Sequence, residues 1–132
     1  MYVVRYSEIG LKGRNRGFFE EQLVRNLARR LHGAGDAKVE RIRGRILVTH
    51  ASEAAREIGE QIADTPGVRS FSLAHRVERD LAAIEAKSVE LARARLADTP
   101  GTTFFGVATD RVDKTFPLIS SAVSARVGAA VL

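Results

Sequence analysis

The chain has 132 residues, 45% of them apolar, and a formal net charge of +5. That is enough apolar material for one compact domain or two small ones, and its apolar runs fall well short of the roughly 20 residues that cross a bilayer. Without cysteine these residues exclude disulfides, Fe–S clusters and thiol catalysis, which fits a cytoplasmic setting. Met1 leads straight into Tyr2-Val3-Val4-Arg5 with no basic stretch followed by an apolar one, so no secretory signal is expected.

The positive excess is local. Between Arg5 and Arg45 there are 11 Lys/Arg against 5 Asp/Glu, whereas the remainder holds 10 against 11. Arginine outnumbers lysine by 17 to 4, and the planar guanidinium offers a fork of donors suited to phosphate oxygens. Such a surface fits an acidic polymer such as RNA. An arginine-preferring genome with a solvated helix face gives the same count, so charge alone leaves both readings open.

In chain order, Met1 to Tyr6 reads as a strand of β-branched and aromatic residues. A glycine-punctuated loop follows, Ser7 to Arg14. Asn15 is placed as a helix N-cap, and Phe19, Leu23, Leu27 and Leu31 then recur every fourth residue beside Val24 and Ala28. This predicts an amphipathic helix, stopped by Gly33 and Gly35, with Arg25, Arg29 and Arg30 on its other face. Lys38 to Arg43 and Arg45 to His50 read as two strands hinged at Gly44. Ser52 is placed as the cap of a second helix with Ala55, Ile58 and Ile62 on one face. Thr65-Pro66-Gly67 ends it, since a residue before proline avoids helical geometry. Val68 to Val77 reads as a fourth strand anchored by Val68, Phe71, Leu73 and Val77. The order β-α-β-β-α-β over residues 1–77 is that of a ferredoxin-like domain, two helices on one face of a four-stranded antiparallel sheet.

A second unit, residues 78–132, opens at Asp80 as a cap. Leu81, Ile84, Ser88, Leu91 and Arg95 follow helical spacing, with Ala92 and Leu96 widening the apolar face. Asp98-Thr99-Pro100-Gly101 closes that helix. Thr102 to Thr109 reads as a strand, Asp110 to Lys114 as a polar turn, and Ser120 or Ser121 as the cap of a last helix along Val123, Val127, Ala130 and Val131. That helix runs to Leu132 without a glycine stop, which suggests a chain cut short. Ala63-Asp64-Thr65-Pro66-Gly67 recurs as Ala97-Asp98-Thr99-Pro100-Gly101. The repeat reads as one helix-to-strand turn used twice rather than a solenoid, because strand as well as helix lies between.

Catalytic signals are sparse. His32, His50 and His75 lie far apart without a ligand neighbour at metal spacing. Gly10-Leu11-Lys12-Gly13-Arg14-Asn15 does not match the phosphate-binding loop Gly-x-x-x-x-Gly-Lys-Ser/Thr. Glu20 and Glu21 are adjacent on a helix and point apart, so they make no acid–base pair; a first-turn role toward the helix dipole fits them better. What remains is a binding surface with no catalytic residue, cofactor or metal assigned to it. Lys12, Arg14 and Arg16 cluster at a helix N-terminus, where unpaired N–H groups already favour phosphate. Arg41, Arg43 and Arg45 flank a hairpin turn, and Arg111 and Lys114 lie in the loop before the last helix. These eight are the candidate RNA-backbone contacts; phosphate contacts of this kind give salt-sensitive affinity but read no sequence.

The run Tyr6-Ser7-Glu8-Ile9-Gly10-Leu11-Lys12-Gly13-Arg14-Asn15-Arg16, followed by Phe19-Glu20 and Leu23, closely resembles the start of archaeal and bacterial tRNA 4-thiouridine synthetases, the tRNA sulfurtransferases. Phe105 to Arg111, then Asp113-Lys114-Thr115-Phe116-Pro117, Ser121 and Val127-Gly128, resembles the first part of a THUMP domain. The resemblance implies an α+β chain: a ferredoxin-like domain, then an α/β THUMP domain incomplete at its C-terminus. It implies tRNA as partner, gripped at the acceptor stem and 3′ end, and a sulfur donor such as a cysteine desulfurase for the whole protein. It also implies ATP used in a separate pyrophosphatase domain, and in some members sulfur supply for the thiamine thiazole. These residues hold no Ser-Gly-Gly-x-Asp-Ser loop, so alone they are expected to position tRNA rather than thiolate it. Where the family's strand carries basic residues, this chain has Gly106, Ala108 and Asp110, which weakens the implied contact.

Two other readings stand beside it. Ferredoxin-like folds host small hydrolases of the acylphosphatase type, although the glycine-rich pattern leading into a helix with Phe-Arg is missing here. The front domain could also serve only as a packing or homodimer surface.

Overall fold

Alternation in the first strand sets the architecture. β1 (Tyr2–Tyr6) buries Tyr2, Val4 and Tyr6 and turns Val3 and Arg5 the other way, the period-two pattern of a strand covered on one face. The computed structural model describes residues 1–6, 14–42, 44–101, 105–111 and 113–132. These fall into two compact units, Met1–Arg76 and Val77–Leu132, each described by itself.

In the first unit β1 is followed by α1 (Arg14–Arg30), β2 (Lys38–Ile42), β3 (Arg45–Thr49), a 3-10 turn at Ser52–Ala54, α2 (Ala55–Ala63) and β4 (Val68–Leu73). The strands form one sheet in the order β2-β3-β1-β4, every neighbouring pair antiparallel. This is the arrangement expected for residues 1–77. The stripe Leu23, Leu27 and Leu31 lands against the sheet and is at most 2% exposed. It joins Val4, Ile46, Val48, Ile58 and Ile62 in one core, where a buried aliphatic side chain contributes about 1.5–3 kcal/mol over an exposed one. Arg29 and Arg30 close α1, placing positive charge where the helix dipole is negative. α2 packs through Ile58, Gly59 and Ile62. The Tyr2 hydroxyl donates to the Ala55 carbonyl at 2.8 Å, and a Cβ on Gly59 would meet that hydroxyl at 2.7 Å.

Several local expectations are corrected. Asn15 is not a cap but the second residue of α1, which already begins at Arg14. Ser52 opens the 3-10 turn rather than capping α2, whose N-cap is Ala54 with no side-chain hydrogen bond. β4 stops at Leu73, and Leu73 is 55% exposed. It pairs with Tyr2 on β1, and the contact between the two segments runs one residue further, Ala74 N–H donating to the Met1 carbonyl at 2.8 Å.

In the second unit α3 (Leu81–Asp98) starts as read: the Asp80 carboxylate accepts from Ala83 N–H at 2.9 Å. Replacing Asp80 with Ala is expected to weaken this helix by about 1 kcal/mol, read as faster amide exchange in its first turns with α1 unaffected. α4 (Ser120–Val131) is preceded by Ile119 with no side-chain cap and buries Val123 and Val127. The apolar face expected on α3 is only partly covered: Leu81, Ile84, Ser88 and Ala92 are half-buried, none of its residues is fully buried, and Leu91 and Leu96 are 40% and 48% exposed. Residues 105–109 are not a strand, because no strand in the unit, among the described residues, offers them a ladder; Thr102 to Phe104 lie outside those residues. The helix stop recurs, with Gly67 and Gly101 in the same left-handed conformation (φ 93° and 89°) just past α2 and α3, but among the described residues a strand follows only the first.

Candidate nucleic-acid interface

At one end of the first unit's sheet, β1 finishes, α1 begins and the β2–β3 hairpin turns. Glu20 stands on the second turn of α1 with its side chain only 11% exposed. The hydroxyl of Tyr6, from the end of β1, donates to Oε1 of Glu20. Arg16, one helical turn earlier, places Nε 3.1 Å from the same oxygen. Arg41, from β2, places an NH1 3.3 Å from Oε2. A buried carboxylate is stable only when charged partners and donors replace its water, and here three chain segments supply them.

The titration of these groups follows. Burial opposes the charge on Glu20, but the Tyr6 hydroxyl, the Arg16 guanidinium and Arg41 together outweigh it and hold the carboxyl below the usual carboxylate range. Tyr6 is pushed up, by burial first and by the neighbouring Glu20 second, with Arg16 partly opposing. The two arginines remain 45% and 46% exposed. Their guanidiniums are thus anchored from beneath and presented to solvent, at the end of the sheet where α1 starts. The Arg16 head also lies against the hairpin, 3.2 Å from where a Cβ on Gly44 would be.

Of the eight residues read from sequence, the structure brings Arg16 and Arg41 together. Arg14 is the first residue of α1, its side chain outside the described residues, and Lys12 and Arg43 also lie outside them. Arg45 is at the same end of the sheet but on the opposite face from Arg41. Arg41 pairs with buried Ile46 while Arg45 pairs with Ile42, and partners across a ladder share a face. In the second unit, Arg111 NH1 donates to the carbonyls of Phe116 and Leu118 at 3.3 and 3.2 Å, which ties its own loop together. Lys114 is exposed at the tip of that loop, where Asp113 accepts from Thr115 N–H and hydroxyl at 2.9 and 2.7 Å. Gly106, Ala108 and Asp110 are all exposed.

The residue that sequence reasoning misjudged is Glu20. It is neither a first-turn helix-dipole residue nor exposed; α1 has no acid in its first turn. The spacing Arg16 to Glu20, one helical turn, was a legible sign of the pair. The shares of Tyr6 and Arg41 were not, because they come from separate strands. Among the described residues no helix is long and apolar enough to cross a membrane.

Residues 1–72 match the family model of the ThiI ferredoxin-like domain. Over 130 residues, 98% of this chain, the sequence is 38% identical to a probable tRNA sulfurtransferase of Geobacillus thermodenitrificans and 35% identical to one of Alkaliphilus oremlandii. It spans about a third of the length of those relatives, 32% and 33% respectively. The crystal structure of a 4-thiouridine synthetase–RNA complex with bound ATP superposes with a TM-score of 0.78 at 30% identity, covering 99% of this chain and 32% of that one. A Pyrococcus horikoshii crystal structure superposes with a TM-score of 0.85, also at 30% identity, covering 98% and 43%. The family match takes in more than half of the chain, and the sheet order is that of the ferredoxin-like arrangement: the chain belongs to the family that carries the ThiI ferredoxin-like domain.

Proposed function

We propose that this chain is a tRNA-binding region of a tRNA sulfurtransferase that makes 4-thiouridine, and that it holds the RNA backbone while the chemistry takes place in another part of the whole protein. The observation that carries this reading is the pair Arg16 and Arg41, braced by one buried carboxylate and presented side by side to solvent. It sits in a chain aligned along nearly its whole length with tRNA sulfurtransferases and with a synthetase crystallised with RNA. Bracing matters because a phosphate site made of freely rotating arginines must order them on binding, at roughly 0.5–1.5 kcal/mol per side chain. Residues 78–132 are read as the start of a THUMP domain, with Lys114 and Arg111 as its backbone contacts and the acceptor stem and 3′ end as their target. ATP, a cysteine desulfurase as sulfur donor, a homodimer and any service to thiamine synthesis belong to the whole protein under this reading, as does a cytoplasmic location.

The test is the salt dependence of tRNA retention by this chain. Neutralising one phosphate contact removes about 0.9 from the slope of log affinity against log salt, which near 0.1 M is roughly an eightfold loss. Arg41→Gln and Lys114→Gln are each expected to lower the slope by about that much, without changing preference among tRNAs. Retention that does not respond to salt in the parent chain overturns the reading.

A further inference from the structure

The face of the sheet that carries no helix is not polar at random. Its positions are the ones that alternate with the core: Val3 and Arg5 on β1, Lys38, Glu40 and Ile42 on β2, Arg45, Leu47 and Thr49 on β3, and Ser70 and Ser72 on β4. None of them is buried. The acid of this face, Glu40, is held by Lys38 at 2.6 Å toward the far end.

The near end, where α1 starts on the other side, is different. The last β1–β3 pair is Val4 with Ile46, so Arg5 and Arg45 are the next positions on adjacent strands, roughly 5 Å apart in backbone spacing. Two arginines stand as neighbours on one exposed face. Arg5 pairs with Ser70 in the β1–β4 ladder and donates from NH1 to the Ser72 hydroxyl at 2.9 Å. Immediately past Arg5 the β1–β4 register slips, the kind of irregularity that re-aims side chains at a sheet end.

We infer that Arg5 and Arg45, with the hydroxyls of Ser70 and Ser72 beside them, form a second phosphate-binding site on the open face of the sheet, and that it takes the backbone of the same RNA. The inference rests on the reading of this chain as an RNA binder. Charge complementarity selects the occupant: two guanidinium forks on neighbouring strands, with two hydroxyls beside them, supply the kind of donors that phosphate oxygens accept. Continuity supports it, because Arg16 and Arg41 lie around the same sheet end on the helix side. A backbone running over that end would meet four arginines in succession, two per face.

The experiment is tRNA binding to the intact chain over a salt series, comparing the parent with Arg5→Gln, Arg5→Lys and Arg5→Gln/Arg45→Gln, each with its thermal midpoint recorded. Arg5 is exposed, so the midpoint is expected to hold. Arg5→Gln is expected to weaken binding about eightfold near 0.1 M salt and to reduce the slope by about 0.9, with roughly twice that slope change in the double variant. Arg5→Lys keeps the slope, since the charge remains, whereas a packing defect would affect both single variants alike. If the Arg5 variants match the parent while Arg41→Gln loses affinity, the open face does not touch RNA and this inference falls alone. If the parent shows no salt-dependent binding, it falls together with the reading it rests on.

Discussion

Replacing Gly35 with alanine is expected to destabilise the first unit by about 3 kcal/mol, although it adds a single methyl group. Two penalties combine. Gly35 lies in the left-handed region at φ 49°, where an L side chain costs roughly 1–2 kcal/mol. The new Cβ would also fall on the Cβ of Ala54, well inside van der Waals contact. That neighbour has no flexible end to swing aside: Ala54 is 9% exposed and sits in the core. The backbones are tied as well, by Ala51 N–H donating to the Gly35 carbonyl at 2.8 Å. Gly33 separates the two penalties. It is also left-handed, at φ 78°, but a Cβ there meets open space, so Gly33→Ala should lose only about 1 kcal/mol. In a double-mutant cycle Ala54→Gly should recover part of the Gly35→Ala loss, giving a coupling of at least about 1 kcal/mol. Urea midpoints read all four variants, and strict additivity would mean that the close approach does not limit the fold.

The same residues show what the sequence could and could not convey. Strand alternation at Tyr2, Val4 and Tyr6 and the four-residue stripe through Leu23, Leu27 and Leu31 were legible, because each depends on one local period and one large core. The element order then determined the sheet. Glu20 was misread because its partners Tyr6, Arg16 and Arg41 belong to three elements. The separation of Arg41 from Arg45 was within reach. Arg43 and Gly44 alone separate β2 from β3, so Arg41 faces Ile46, Ile42 faces Arg45, and the two arginines must occupy opposite faces. Of the strand expected at Thr102 to Thr109, the described part, residues 105–109, is not a strand for another reason. β-branched and aromatic composition shows that a segment suits a sheet, but not that a neighbouring strand is there to complete it. Likewise the apolar spacing of α3 is real, yet nothing in the spacing ensures that Leu91 and Leu96 are covered.

Removing the carboxylate of Glu20 is expected to cost about 2–3 kcal/mol at neutral pH, with a dependence on pH that identifies the cause. Glu20→Ala leaves the Tyr6 hydroxyl buried without its acceptor and two guanidiniums without the charge that braces them. An orphaned buried donor alone costs about 1–3 kcal/mol. The arginines add little, since both are nearly half exposed and screened by water. In the parent the folded carboxyl is held below its ordinary value. Its contribution is therefore complete above the unfolded-state value of roughly 4.3 and is lost as pH falls through the lower folded value. Glu20→Gln, which keeps an acceptor for Tyr6 but has no charge to lose, should be less stable than the parent at pH 7 and close to it at the acid end. Tyr6 has the opposite sign. Its folded value is raised, so its contribution is present below about pH 10 and is lost as pH rises through the folded value, a limb that Tyr6→Phe should abolish. Urea unfolding of parent and Glu20→Gln at pH 7 and pH 3 checks the acid side. If the stability gap between them is unchanged at pH 3, the carboxylate charge is not what holds Arg16 and Arg41 in place, and the braced pair loses its physical basis.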